Sequence, residues 1–245
     1  MVTQENRAGE MLVLGAGTGG ARVAYYLMQR GGLPKTRLLA VDTDGGDGEQ
    51  LPGLERVTVP APPALPVGAA AERACIPLKE RLDELLPHVR MLVVLAFSGG
   101  NTGVFYGQFA LGAAKAAGVP ATALLTLPHT IDDEDCQKRS RGALEILHSQ
   151  GFPCLALDCG SCGRFFPDTR PESAYLQAVR WAAETTIGYL RLFTEEHLDT
   201  TAQAAVGKPL AFGELPRGIF AAAPPVIVNG RNLDVPTFLR LQRKE

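Results

Sequence analysis

Two short apolar runs that each break into a glycine cluster set the strongest limit on how this chain folds. Met11-Leu12-Val13-Leu14 runs into Gly15-Ala16-Gly17-Thr18-Gly19-Gly20, and Met91 through Ala96 runs on towards Ser98-Gly99-Gly100-Asn101-Thr102-Gly103. Each reads as a buried strand that passes through a glycine turn into a helix. Further strand patterns lie at 38–41, 121–125 and 154–157, and helical patterns at 21–30, 72–86, 104–117, 134–149 and 172–195. Strand and helix alternating over short connections predict an α/β domain, a parallel sheet flanked by helices. Such sheets bind ligands at the carboxyl ends of their strands, where both glycine clusters fall.

Glycine turns of this kind let backbone N–H groups converge on a phosphate, and the helix N-terminus adds a favourable dipole. The first turn by itself fits the dinucleotide pattern G-x-G-x-x-G, with Asp42 or Asp44 placed about where a ribose-binding acid would follow. A second glycine turn between strand and helix suits a nucleotide cradled from two sides instead. The four histidines, 88, 129, 148 and 197, stand singly, and no group of His, Lys or Tyr suggests hydride transfer.

Composition removes other classes. A net charge of −2 carries no polyanion-binding signature, so no nucleic-acid partner is expected. No apolar run approaches the roughly 20 residues that cross a bilayer, and residues 1–10 are polar; a cytoplasmic protein without direct membrane insertion is expected. The five cysteines include Cys159-Gly160-Ser161-Cys162, the spacing of half a zinc site or of a redox pair, or simply small residues in a loop after a strand. A zinc site needs two further ligands, and only Cys154 or a distant His offers one, so no metal is expected.

With these residues on view, the chain resembles the tubulin/FtsZ family over roughly residues 11–195. Gly99-Gly100-Asn101-Thr102-Gly103 is similar to the family signature Gly-Gly-Gly-Thr-Gly-Thr/Ser-Gly, and Ala40-Val41-Asp42-Thr43-Asp44 to its Ala-x-Asn-Thr-Asp. The stretch from Pro128 through Arg139 resembles its Pro-Phe-…-Glu-Gly-x-x-Arg, with Asp135 and Arg139 spaced i, i+4 on one helix face. The alternative for that pair is a surface ion pair. The resemblance implies GTP or GDP as ligand, held by Gly15, Gly17, Thr18, Gly19, Gly20, Arg22, Asp44, Gly99, Gly100, Asn101, Thr102, Gly103, Asp135 and Arg139. Arg22 stands where the family has Asn.

The end of the chain carries a second resemblance. Leu233-Asp234-Val235-Pro236-Thr237-Phe238-Leu239-Arg240-Leu241-Gln242 is similar to the C-terminal peptide of FtsZ, Leu-Asp-Ile/Val-Pro-x-Phe-Leu-Arg-x-Gln, which docks on membrane-tethering partners. It implies division adaptor proteins as partners, recognised through Leu233, Asp234, Val235, Pro236, Phe238, Leu239 and Arg240, with Pro236 opening a short helix. FtsZ, or a second copy of this chain in a dimer or filament, is the other implied partner. The expected organisation is a GTP-binding domain over 1–195, a linker or irregular arm over 196–229 with an Asn229-Gly230 turn, and a docking peptide over 230–245.

Departures from the family pattern limit what the resemblance implies. Asn101 and Phe105 replace glycines of the signature and are expected to add side chains near the phosphates. The counterpart of the terminal-phosphate loop, Ala61 through Gly68, is short and rich in proline. Asp158 or Cys159, and Glu172 or Ser173, stand at the guanine-reading positions. Ala202 stands at a water-positioning acid of the hydrolytic loop, and the stretch from Asp199 to the tail is too short for the family's smaller C-terminal domain. The expectation is a shortened FtsZ-like protein of the bacterial division site with weak or no GTP hydrolysis by itself, and no catalytic residue is assigned. The rival readings are a scaffold that binds no nucleotide and a Rossmann-type NAD-dependent enzyme.

Overall fold

A computed structural model describes residues 10–31, 33–43, 51–64, 67–129, 132–158 and 171–191, and two short strands at 227–228 and 231–232. Contacts divide the chain into two units, Met1–Thr194 and Glu195–Glu245.

The first unit is built on six strands: β1 (Glu10–Ala16), β2 (Thr36–Thr43), β3 (Glu55–Val59), β4 (Val89–Phe97), β5 (Ala121–Leu127) and β6 (Cys154–Asp158). They lie in the order β3-β2-β1-β4-β5-β6, and every pairing is parallel. The connecting helices are α1 (Gly17–Gln29), α2 (Ala69–Leu85), α3 (Asn101–Ala116) and α4 (Glu134–Ser149), and α5 (Pro171–Arg191) follows β6. Pro171 occupies the first turn of α5, where a missing N–H costs no helical bond.

Parallel crossovers are right-handed, so the direction of travel along the sheet decides which face each helix covers. The chain moves one way from β1 to β2 and the other way from β3 to β4, β5 and β6. Accordingly α2, α3 and α4 pack on one face with Leu12, Leu14, Leu92 and Val94. The opposite face, with Met11, Val13, Val93 and Leu95, is covered by α1 and α5. Neighbouring residues of one strand thus feed different core layers, which is why β1 and β4 read as continuous apolar runs rather than alternating ones.

Two elements differ from the sequence reading. β3 was not anticipated; Glu55-Arg56-Val57-Thr58-Val59 is a short, charged edge strand whose exposure alternates along its length. Helix α1 begins at Gly17, directly after β1, so most of the first glycine cluster is helical rather than loop. In the second unit, β7 (Ile227–Val228) and β8 (Arg231–Asn232) pair antiparallel on either side of Asn229-Gly230, the sequence that favours tight hairpin turns. Residues 233–245, and with them the tail positions named above, lie outside the described residues.

Candidate functional site

The sheet order brings the two glycine clusters together. β1 and β4 are neighbours, and Ala16, the last residue of β1, stands opposite Ala96, one residue before the end of β4. One strand opens α1 and the other opens α3 at this common level. The order of strands also reverses here, since β1 leads to β2 on one side and β4 to β5 on the other. Open α/β sheets form their ligand crevice at such a point.

The glycines divide into two groups by what a side chain would meet. A Cβ on Gly15 would fall 2.3 Å from the carbonyl oxygen of Gly20, and one on Gly20 2.2 Å from that of Leu95. On Gly19 it would strike the Phe97 ring at 2.4 Å. Gly17 has φ +68°, and its Cβ would lie 2.8 Å from the amide nitrogen of Gly103; a Cβ on Gly103 would lie 2.8 Å from the carbonyl oxygen of Ala16. These five glycines let α1 and α3 press against the sheet and against each other. Gly99 and Gly100 differ. A Cβ on Gly99 would make ordinary contacts at 3.4 Å or more, and one on Gly100 would meet only the Phe97 carbonyl oxygen at 3.6 Å. Gly100 has φ −92° and ψ 140°, open to any residue. Protein packing does not require glycine at either position.

The helix ends above the switch point are electrostatically unfinished. Neither α1 nor α3 has a side-chain cap or an acidic residue in its first turn. The two starts meet where Gly17 approaches Gly103, so the first N–H groups and the positive dipole ends of both helices lie close together. Helix α4 shows the contrast. Asp133 caps it by accepting from the Cys136 amide at 2.6 Å, and Glu134 and Asp135 fill its first turn. That amide bond holds the Asp133 carboxyl below its ordinary range. Beside α1, the Thr18 hydroxyl donates to Asp42 at 3.0 Å, and the Asp42 carboxylate also accepts from the Thr43 amide at 2.9 Å. Asp42 is buried. The sequence placed Asp42 near the site but did not pair it with Thr18.

Helix α4 fastens the second glycine cluster. Arg139 Nε donates to the Gly99 carbonyl at 2.8 Å, and its terminal nitrogen donates to the Cys136 sulfur at 3.0 Å. The Ser98 and Ser140 hydroxyls lie 2.7 Å apart, and Ser98 Oγ also donates to the Thr126 carbonyl at 3.1 Å. Deeper along α3, the buried Tyr106 hydroxyl donates to the Pro60 carbonyl at 2.6 Å, tying the start of the proline-rich segment to the helix.

No family model matches the sequence, and no curated protein does. Solved structures do match. An empty FtsZ dimer from M. jannaschii superposes with a TM-score of 0.64 at 18% identity, covering 76% of this chain and 56% of that one. CetZ2 from Haloferax volcanii, a GTPγS-bound protofilament, gives 0.59 at 21% identity over 74% of this chain and 57% of the other. TubZ of Clostridium botulinum phage c-st gives 0.59 at 15% identity over 80% and 65%.

The fold is that of the tubulin/FtsZ proteins.

The chain spans a little over half the length of the FtsZ structure that it matches, 56%. Within this tubulin/FtsZ fold, the residues read from sequence fall into distinct places. Gly15, Gly17, Thr18, Gly19, Gly20, Gly99, Gly100, Asn101, Thr102 and Gly103 come together at the paired helix ends. Arg22 is half-buried in α1, and Asp135 is exposed at the start of α4. Asp44, Cys159, Cys162 and Ala202 lie outside the described residues, as do the side chains of Glu172 and Ser173. Phe105 corrects an expectation. Its ring packs on the core beneath α3 and meets Tyr106 edge-on at 4.9 Å rather than entering the space between the loops. Among the described residues there is no group of three metal-ligating side chains, and no helix is long and apolar enough to cross a membrane.

Proposed function

We propose that this chain binds a guanine nucleotide, GDP or GTP, at the paired helix ends. The observation that carries the reading is the pair Gly99-Gly100 beside two uncapped helix N-termini. These glycines are not needed for packing or backbone angle, and a ligand approaching the backbone closely gives them a purpose. The cradle therefore fits a phosphate-bearing group. The amides of Asn101, Thr102 and Gly103, with those at the start of α1, would hold phosphate, and Asp42, beside Thr18 at the start of α1, would face the sugar. The bound group would supply a phosphoanhydride; the chain's part is to bind and orient it.

Two of the similar structures are described as GTPγS-bound and GDP-form protofilaments, which supports guanine nucleotide and self-association as the first candidates here. The tail sequence at 233–240 supports docking of division adaptors at the division site. The Ala202 substitution supports weak or absent hydrolysis by the isolated protein. Equilibrium titration with GDP, GTP and NAD tests the proposal. Saturable binding of guanine nucleotides and no NAD binding is the expected result; NAD binding alone overturns it.

A scaffold without nucleotide is favoured by one specific observation. The five packing glycines explain most of both clusters without a ligand. Absence of binding in the same titration selects that reading.

A further inference from the structure

The family resemblance implies that Arg139 faces a nucleotide, yet its guanidinium donates to a backbone carbonyl and a sulfur atom. Its Nε, the innermost nitrogen of the guanidinium, donates to Gly99 at 2.8 Å. The other end of the same peptide group is also committed, since the Gly100 amide donates back to the Phe97 carbonyl at 3.1 Å in a tight turn. Together the two bonds fix the Gly99–Gly100 peptide plane. Its carbonyl, the negative end of the dipole, points to α4, and its N–H points back into the turn. The plane joins two glycines, so without these bonds little steric resistance opposes its rotation. Rotated, it would turn the carbonyl oxygen from α4 towards the space above α3, where an anion would be repelled.

We propose that Arg139 is a positioning residue that locks this peptide and keeps the carbonyl out of the anion cradle, acting through a hydrogen bond rather than through its charge on the ligand. The proposal rests on the nucleotide reading for its consequence, but the lock itself is a property of the chain. The Ser98–Ser140 hydroxyl pair holds α4 against the turn to do this, and Asp133 caps the helix that carries Arg139.

The chemistry of the donor atom supplies the test. The side-chain nitrogen of Gln stands the same number of bonds from Cα as Arg Nε, so Arg139→Gln keeps the donor and removes the charge. Arg139→Lys keeps the charge and puts a methylene where the donor was, and Arg139→Met removes both. GDP titration and hydrogen exchange at the Gly100 amide are measured for wild type and all three variants. The expected result is that Arg139→Gln binds within about threefold of wild type, whereas the Lys and Met variants lose about tenfold or more. The Gly100 amide should exchange faster in the Lys and Met variants than in wild type or Arg139→Gln, with α4 protection unchanged in all four. Retention by Lys with loss by Gln would assign Arg139 to direct charge contact and overturn the proposal. Equal Gly100 exchange in all four proteins would overturn it too. If wild type binds no GDP, the nucleotide reading fails, and the exchange rates still decide whether Arg139 locks the peptide.

Discussion

Gly17 and Gly103 meet backbone to backbone across the top of the sheet: a Cβ on Gly17 would stand 2.8 Å from the Gly103 amide nitrogen. This contact sets the separation of the two helix ends. It also gives neighbouring glycines different jobs, and substitutions separate those jobs.

Gly103→Ala forces a methyl to within 2.8 Å of the Ala16 carbonyl oxygen, backbone that cannot swing aside. Overpacking of this kind costs about 1–3 kcal/mol. Gly100→Ala meets nothing closer than 3.6 Å, and as a helix N-cap change it costs about 1 kcal/mol or less. Chemical denaturation should therefore rank Gly103→Ala well below Gly100→Ala in stability. GDP titration should show the reverse emphasis, with Gly100→Ala folded but weakened in binding. Equal stability of the two variants would contradict the assignment.

Tyr106 offers a pH signature. Burial, with Cys75 nearby, pushes its phenol up to about 12, whereas an unfolded tyrosine titrates near about 10. The folded state holds the proton more tightly. Its contribution is thus complete below pH about 10 and is lost as pH rises towards about 12. Tyr106→Phe should remove that part of the alkaline slope. It should also cost about 1 kcal/mol at neutral pH, because the carbonyls of Pro60 and Ala74 lose their donor. Urea denaturation from pH 8 to 11 checks both effects; an unchanged alkaline slope would contradict the argument.

Sequence made the architecture legible because both faces of the sheet are covered. Five of the six strands in the main sheet read as apolar runs, and their spacing with helices implied parallel pairing. β3 escaped because an edge strand keeps charges, and Glu55 and Arg56 look like loop composition. The paired glycine clusters were also visible. What each glycine touches was not, because Gly100 and Gly103 are alike in sequence, and only the fold puts Ala16 and Ala96 against Gly103 and leaves Gly100 open. Arg139 was assigned to the site by the resemblance of residues 128–139 to the family's segment. Its partner Gly99 is 40 residues away in sequence, and nothing local to α4 announces it.

Phe238 and Leu239 offer adjacent apolar anchors, and anchors of this kind dominate small helix-in-groove interfaces. Phe238→Ala should lower affinity for a receptor of the FtsZ tail by about tenfold or more. Removal of residues 230–245 should abolish docking and leave the α/β unit folded. Recovery of division adaptors that is the same for full-length and truncated protein would contradict a docking role.

GTP hydrolysis by the isolated chain should be very slow, with Ala202 where the family pattern places a water-positioning acid. A steady-state phosphate-release assay checks this, alone and with FtsZ added. Turnover by the isolated chain that rises cooperatively with its own concentration would contradict the expectation.

The central claim is that the paired helix ends hold a guanine nucleotide. Gentle purification, acid extraction and chromatography of the released small molecules test it most directly. The account predicts GDP or GTP approaching one equivalent per chain, falling in Gly100→Ala. Recovery of NAD, or of no nucleotide from protein that also fails to take up added GDP, would contradict it.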